Sequence, residues 1–227
     1  MVQGRFRSEP DRPGGLLILA VRGDGPKGQR TLLAAFAQAC VARNLLPGRP
    51  SPADAFRIVR DMPYRRPEGA PPWALLSDWC GTCSGKHGLL AGLLDEMGIA
   101  NRTMLATYRY TWTGAGPVPE ALASILGAGP VPDVHTYLEI RWDGNWTAVD
   151  ATWPRGAERG GLPVNDWTPG DSHRLALTPP YTAYRVDAGT DPRREKERLI
   201  RAFVGADLER REAFIVALSE WAATFLG

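Results

Sequence analysis

The chain opens its readable pattern with a helical period. From Gln29 to Asn44, apolar residues at Leu32, Leu33, Phe36, Cys40 and Val41 recur with the spacing of one helix face. Leu46-Pro47-Gly48-Arg49-Pro50 breaks that pattern. Ser51 then predicts a second helix start, because Asp54 completes a capping-box-like pair three residues on. Tyr64 to Trp73 is rich in Pro and Arg and reads as loop. A third helix is predicted from Cys83 to Met97, stopping before Gly98. Beyond it the period changes to that of strands, at Arg102 to Thr111, Val134 to Trp142 and Trp146 to Thr152. Gly114 to Pro132 interrupts the first two and holds a short predicted helix at Pro119 to Leu126. Gly156 to Pro180 reads mostly as loop. Two helices close the chain, Pro192 to Val204 and Asp207 to Phe225, the second with Asp207 as N-cap. Helices, then strands, then helices predict an α+β fold with a small antiparallel sheet.

One earlier apolar run, Gly15 to Val21, reads as a buried strand or extended segment. It is far shorter than the roughly 20 residues that span a bilayer. Asp11 and Arg12 before it and Arg22-Gly23-Asp24-Gly25 after it are unlike a signal peptide. No membrane association is expected, and the expected compartment is the cytoplasm.

Composition changes this picture in two ways. With 27 basic and 25 acidic side chains, the net charge is only +2, which argues against a nucleic-acid-binding specialist. With three Cys and three His, a disulfide scaffold is excluded and thiol or imidazole chemistry is confined to six residues. These are Cys40, Cys80, Cys83, His87, His135 and His173. Cys40 lies on an apolar helix face and reads as core.

Cys83 carries several readings. Cys80-x2-Cys83-x3-His87 has ligand-like spacing, but no second Cys/His pair completes a structural zinc site. A Cys-x-x-Cys redox pair is another reading, in surroundings unlike thioredoxin. As a nucleophile, Cys83 falls in the first helical turn, where free N–H groups and the helix dipole favour a thiolate and an oxyanion. Gly81 is expected to let the backbone turn tightly before that helix. A buried packing thiol is as good a reading of Cys83 alone. Lys86 and His87 in the following turn read as solvated rather than as contacts for an anionic substrate.

The second strand pair shifts the balance. Asp143-Gly144 between two alternating runs predicts a two-residue hairpin turn with Trp142 opposite Asn145. In that register Leu138 faces Val149, Tyr137 faces Asp150 and His135 faces Thr152. Val134, Leu138, Ile140 and Trp142 then share an apolar face with Val149 and Ala151. His135, Tyr137, Glu139 and Arg141 share the other, more polar face with Asp150 and Thr152. His135 and Asp150 become diagonal neighbours within side-chain reach. A carboxylate so placed orients and charge-stabilises an imidazole.

These residues resemble the transglutaminase-like superfamily, a branch of the papain-like cysteine enzymes. The resemblance rests on Gly81-Thr82-Cys83 at a helix start, a strand opening with His135 and carrying Glu139, and Gly144-Asn145-Trp146 leading to Asp150-Ala151-Thr152. Leu89 to Ala100, followed by Asn101-Arg102, is similar to the family's helix and first strand. Tyr137 stands where the family often has Trp. The similarity covers about residues 79–153, within a single domain over 1–227 whose residues 187–227 form a C-terminal helical extension. It implies Cys83 as nucleophile, His135 as general base and acid, and Asp150 as orienter. It implies acyl transfer on a peptide or small-molecule amide or related acyl substrate, by hydrolysis or by transamidation to an amine, with no cofactor. The competing readings are a catalytically silent binding protein of the same fold and a metal protein using Cys80, Cys83 and His87. An arylamine N-acetyltransferase also uses Cys, His and Asp, but its Arg-Gly-Gly-x-Cys run is missing.

Overall fold

The structure is a computed structural model that describes residues 31–68, 72–113 and 116–225. The expected segment at Gly15 to Val21 lies outside these residues. Helix α1 spans Leu32–Ala42, α2 Pro52–Asp61, α3 Trp73–Asp78 and α4 Cys83–Glu96. Strand β1 covers Asn101–Tyr110, and α5 (Glu120–Leu126) connects it to β2 (Val131–Trp142). β3 is Asn145–Val149, β4 is Tyr181–Arg185, and α6 (Pro192–Val204) and α7 (Leu208–Ala223) follow.

Local chemistry accounts for the helix boundaries. Ser51 and Asp54 form a full capping box on α2, each satisfying the other's backbone N–H. Thr31 caps α1, whose first two N–H groups are also taken by the carboxylate of Glu96 at the far end of α4. Gly98 ends α4 in the left-handed region at φ 77°. Asp207 sits at the N-cap position of α7 as expected, but its side chain makes no cap hydrogen bond and pairs with Arg210 instead.

The sheet is antiparallel in the order β3-β2-β1-β4. The β2–β3 hairpin has the expected register, with Trp142 opposite Asn145 and Leu138 opposite Val149. Asp143 and Gly144 both adopt positive φ, 47° and 85°, as a two-residue turn of this hand requires. β3 ends at Val149, short of the expected Thr152, so Asp150 leaves the ladder. β4 was not expected: its five residues are all exposed, so the edge strand carries no alternation of burial to read.

Leu138, Ile140, Val149 and Ala151 face α1, α2 and α4 and join Phe36, Phe56, Leu90, Leu93 and Leu94 in the main core. A second core gathers α7, the end of β1 and Trp153, and a smaller one seats α6 against Leu105 and Val134. The polar face of β2 is covered too: His135 and Tyr137 are buried, the latter against Met104, Ala106 and the Leu175–Leu177 stretch.

Candidate active site

The turn before Cys83 is shaped by close packing. Trp79, in the left-handed region at φ 50°, turns the chain out of α3. Gly81 does not supply that turn. A Cβ at Gly81 would come within 2.9 Å of Leu75 Cδ2, so glycine is needed for close approach. Thr82 precedes α4 without capping it, and Cys83 occupies the first helical position with only 6% of its surface exposed. The first-turn N–H groups beside the sulfur are therefore not consumed by a side-chain cap.

The hairpin delivers the imidazole and the carboxylate. His135 Nε2 lies 2.8 Å from Asp150 Oδ2, and the imidazole stands near enough to the Cys83 thiol for each to shift the other's protonation. Asp150 Oδ2 also accepts from the Ala176 N–H at 2.7 Å, and Oδ1 from the Thr152 N–H at 3.0 Å. Burial pushes the Asp150 carboxyl up, but the facing His135 charge and these hydrogen bonds outweigh it and hold the carboxyl below its ordinary range. Burial pulls His135 down, and Asp150 and then Cys83 outweigh it, raising the imidazole to about 10. Burial raises the Cys83 thiol, yet Lys196 and then His135 lower it to about 6. These directions favour a thiolate beside an imidazolium beside a carboxylate.

His87 and Lys86, expected to be solvated, are completely buried. The reason is that α4 packs against α1, α2, α3 and two strands at once, so most of its circumference is interior. His87 Nδ1 donates to the Cys83 carbonyl at 2.8 Å, and Nε2 accepts from the Ala151 N–H at 2.9 Å. It ties the backbone of Cys83 to the backbone next to Asp150. Lys86 Nζ donates to the carbonyls of Arg60 and Thr152 at 2.8 and 2.9 Å. Both His87 nitrogens being engaged, the Cys80-Cys83-His87 metal reading loses a ligand. Among the described residues no group of three or more His, Cys, Asp or Glu could hold a metal ion. Cys40 is a core thiol pushed up to about 11 by burial. His173 Nδ1 accepts from the Asp150 N–H at 3.1 Å, and Asn165 donates to the Asp150 carbonyl, so loop residues fix Asp150 from behind.

Two cations reach the site from helices whose part in it was not foreseen. Lys196 Nζ on α6 lies 3.4 Å from Cys83 Sγ, 2.8 Å from Ser84 Oγ and 3.1 Å from Thr136 Oγ1. Arg211 on α7 donates to Asp133 at 2.6 Å. A signal exists in the sequence: Lys196 leads the apolar row Leu199, Ile200, Phe203, Val204, and Arg211 leads Phe214, Ile215, Leu218. A cation on the buried stripe must find a partner inside. Cys83, Tyr64, Asp133 and Lys196 line a cavity of about 240 Å³, and Ser84 and Arg193 are shared with a larger groove of about 800 Å³.

No helix among the described residues is long and apolar enough to cross a membrane. Comparison with curated proteins finds no match. Among solved structures, one described as "a Putative Cysteine Protease from Cytophaga hutchinsonii" is similar at 13% identity and a TM-score of 0.33. The overlap covers 72% of this chain and 55% of that one, so the chain spans about half of that protein's length. A likeness this loose carries no argument about the site. The family model described as the transglutaminase-like superfamily matches residues 53–151. That segment runs from α2 through the turn before Cys83 and α4 to the β1–β2–β3 unit, and the match supports cysteine-based catalysis at a general level. Residues 53–151 are thus similar to the core of the transglutaminase-like superfamily.

Proposed function

We propose that the protein is a cysteine-dependent acyl-transfer enzyme in which Cys83 is the nucleophile, His135 the general acid and base, and Asp150 the orienting carboxylate. The observation that carries this reading is the 2.8 Å His135–Asp150 bond, buried at both ends, beside the buried Cys83 thiol at the start of α4.

The thiolate adds to the carbonyl carbon of a peptide or small-molecule amide, and the carbonyl electron pair moves onto oxygen. Collapse of this intermediate breaks the C–N bond while the His135 imidazolium gives its proton to the departing nitrogen. The neutral imidazole then takes a proton from water or from an amine as that acceptor attacks the thioester. Thiolate is expelled and the imidazolium is restored. Hydrolysis and transamidation differ only in this acceptor. Asp150 keeps Nε2–H pointed at itself, so that Nδ1 always faces the sulfur.

Cys83→Ala is expected to abolish turnover across a panel of peptide amides and acyl thioesters, with and without added amine, and to abolish labelling by iodoacetamide. Full activity in that variant would end the reading.

A further inference from the structure

Charge balance around the thiol points to one more participant. A buried ammonium is costly unless it is paired. Lys196 is 8% exposed, and its partners are the Cys83 sulfur and two hydroxyls. No carboxylate among the described residues forms an ion pair with it. The other cations near the sulfur are already matched. His135 faces Asp150, Arg211 faces Asp133, and Lys86 is held by two backbone carbonyls.

We propose that Lys196 is a fourth working group of this site, pairing its ammonium with the Cys83 thiolate at rest and with the oxyanion on the acyl carbon during reaction. The inference rests on Cys83 being the nucleophile. When sulfur bonds to the acyl carbon it loses its charge, and the charge reappears on the adjacent oxygen. An ammonium 3.4 Å from the sulfur has only a short distance to follow it. Ser84 and Thr136 keep the amine aimed throughout, and it keeps its proton, so no proton balance changes. The N–H groups at the start of α4 lie on the same turn and share the load.

Several groups set the electrostatics of this thiol. From β2 come His135 and Asp133, from β1 Tyr108, and from the segment before α3 Tyr64. α7 contributes Arg211, α4 contributes Lys86, and α6 contributes Lys196 with Arg193 and Glu197 at the cavity wall. Tyr108 and Arg211 both bond Asp133, which confines that carboxylate. Lys196 is the cation in hydrogen-bond contact with the sulfur, and His135 is the other cation that lowers the thiol.

The test compares Lys196→Arg, Lys196→Gln and Lys196→Met with the native protein. Iodoacetamide alkylation of Cys83 is followed from about pH 5 to about pH 9, alongside kcat and KM on an amide substrate. Arg retains charge and Gln retains reach, so their difference isolates the charge even where Met fails to fold. The native thiol should alkylate with an acidic midpoint. Gln and Met should raise that midpoint by about one pH unit or more and lower kcat by about 10²–10³-fold with little change in KM. Arg should restore the midpoint. A low native midpoint shared by Gln and Arg overturns the role of Lys196 and leaves Cys83 as nucleophile. A native Cys83 no more reactive than a free thiol at any pH overturns both.

Discussion

Two buried imidazoles stand with ring centroids 6.1 Å apart and nearly perpendicular, and they are driven in opposite directions. His135, on a strand, meets the Asp150 carboxylate at Nε2, and with Asp150 and Cys83 both favouring its charged form it rises to about 10. His87, on α4, meets a carbonyl at one nitrogen and an N–H at the other. Burial then dominates and lowers it to about 4, despite the raising effect of Asp150. A neutral imidazole with its proton on Nδ1 is the form that satisfies both His87 partners. Desolvation is shared by the two rings, so the partner atoms decide the outcome. One ring is poised to carry protons, and the other is a strut that must not.

Removing Asp150's charge should erase the contrast most completely. Asp150→Asn should lower kcat by about 10⁴-fold, the scale expected when the imidazole loses its orienting carboxylate. In the same variant the His135 imidazole, followed by NMR titration, should fall toward the behaviour of His87. An imidazole that stays charged at neutral pH in this variant would show that Asp150 is not what holds its proton.

His87→Leu should act on stability instead. It leaves the Ala151 N–H without its partner and takes from the Cys83 carbonyl its second hydrogen bond, the intrahelical one remaining, at a cost of about 1–3 kcal/mol if the N–H finds no substitute. Chemical denaturation at neutral pH reads this loss, and the acidic alkylation midpoint of Cys83 should persist. The native protein should also lose the contribution of His87 in acid. Its folded value lies below the ordinary 6.5, so the contribution is complete above about pH 6.5 and drains away as the pH falls toward about 4. The full loss is on the order of 3 kcal/mol, and His87→Leu should lack this portion of the acid slope. The His135–Cys83 pair behaves otherwise. His135, raised, stabilises below its ordinary value and loses this as the pH rises through about 10. Cys83, lowered, stabilises above its ordinary value and loses this as the pH falls through about 6. Between about pH 6.5 and about pH 9 the folded pair holds one proton on His135 and the unfolded pair holds one on Cys83. That window should therefore show no slope from the pair.

The smallest effect is expected at the third histidine. His173 accepts from the Asp150 N–H, but its Nε2 is buried without a partner at the edge of the Phe56 ring. His173→Ala trades one hydrogen bond for the removal of an unsatisfied atom, so a stability change within about 1 kcal/mol is expected. A loss as large as that of His87→Leu would mean that the loop at His173, and not α4, anchors Asp150.

How much of this was legible in the sequence varies with how local the cause is. The capping box at Ser51, the stop at Gly98 and the hairpin at Asp143-Gly144 depend on neighbours within four residues, and each is where the sequence puts it. His135 does meet Asp150, but from beyond the end of β3: the hairpin brings the two near, and contacts from His173, Asn165 and Ala176 hold Asp150 where parity no longer applies. The short helix α3 and the edge strand β4 were not legible. One is too brief for a period, and the other is exposed along its whole length. Gly81 was read for the wrong property, since the atom that demands it belongs to Leu75 in another helix.

The sequence by itself narrowed the thiols and imidazoles to six residues and, through the hairpin, brought His135 near Asp150. Tertiary structure alone decided their charges. Lys86 and His87 turned inward because α4 is wrapped on nearly every side, and Lys196 came to the sulfur because α6 packs across the sheet from more than a hundred residues away in the chain. Protonation depends on what surrounds a group within a few ångströms, and in a folded chain those surroundings come from segments that sequence separation cannot bring together.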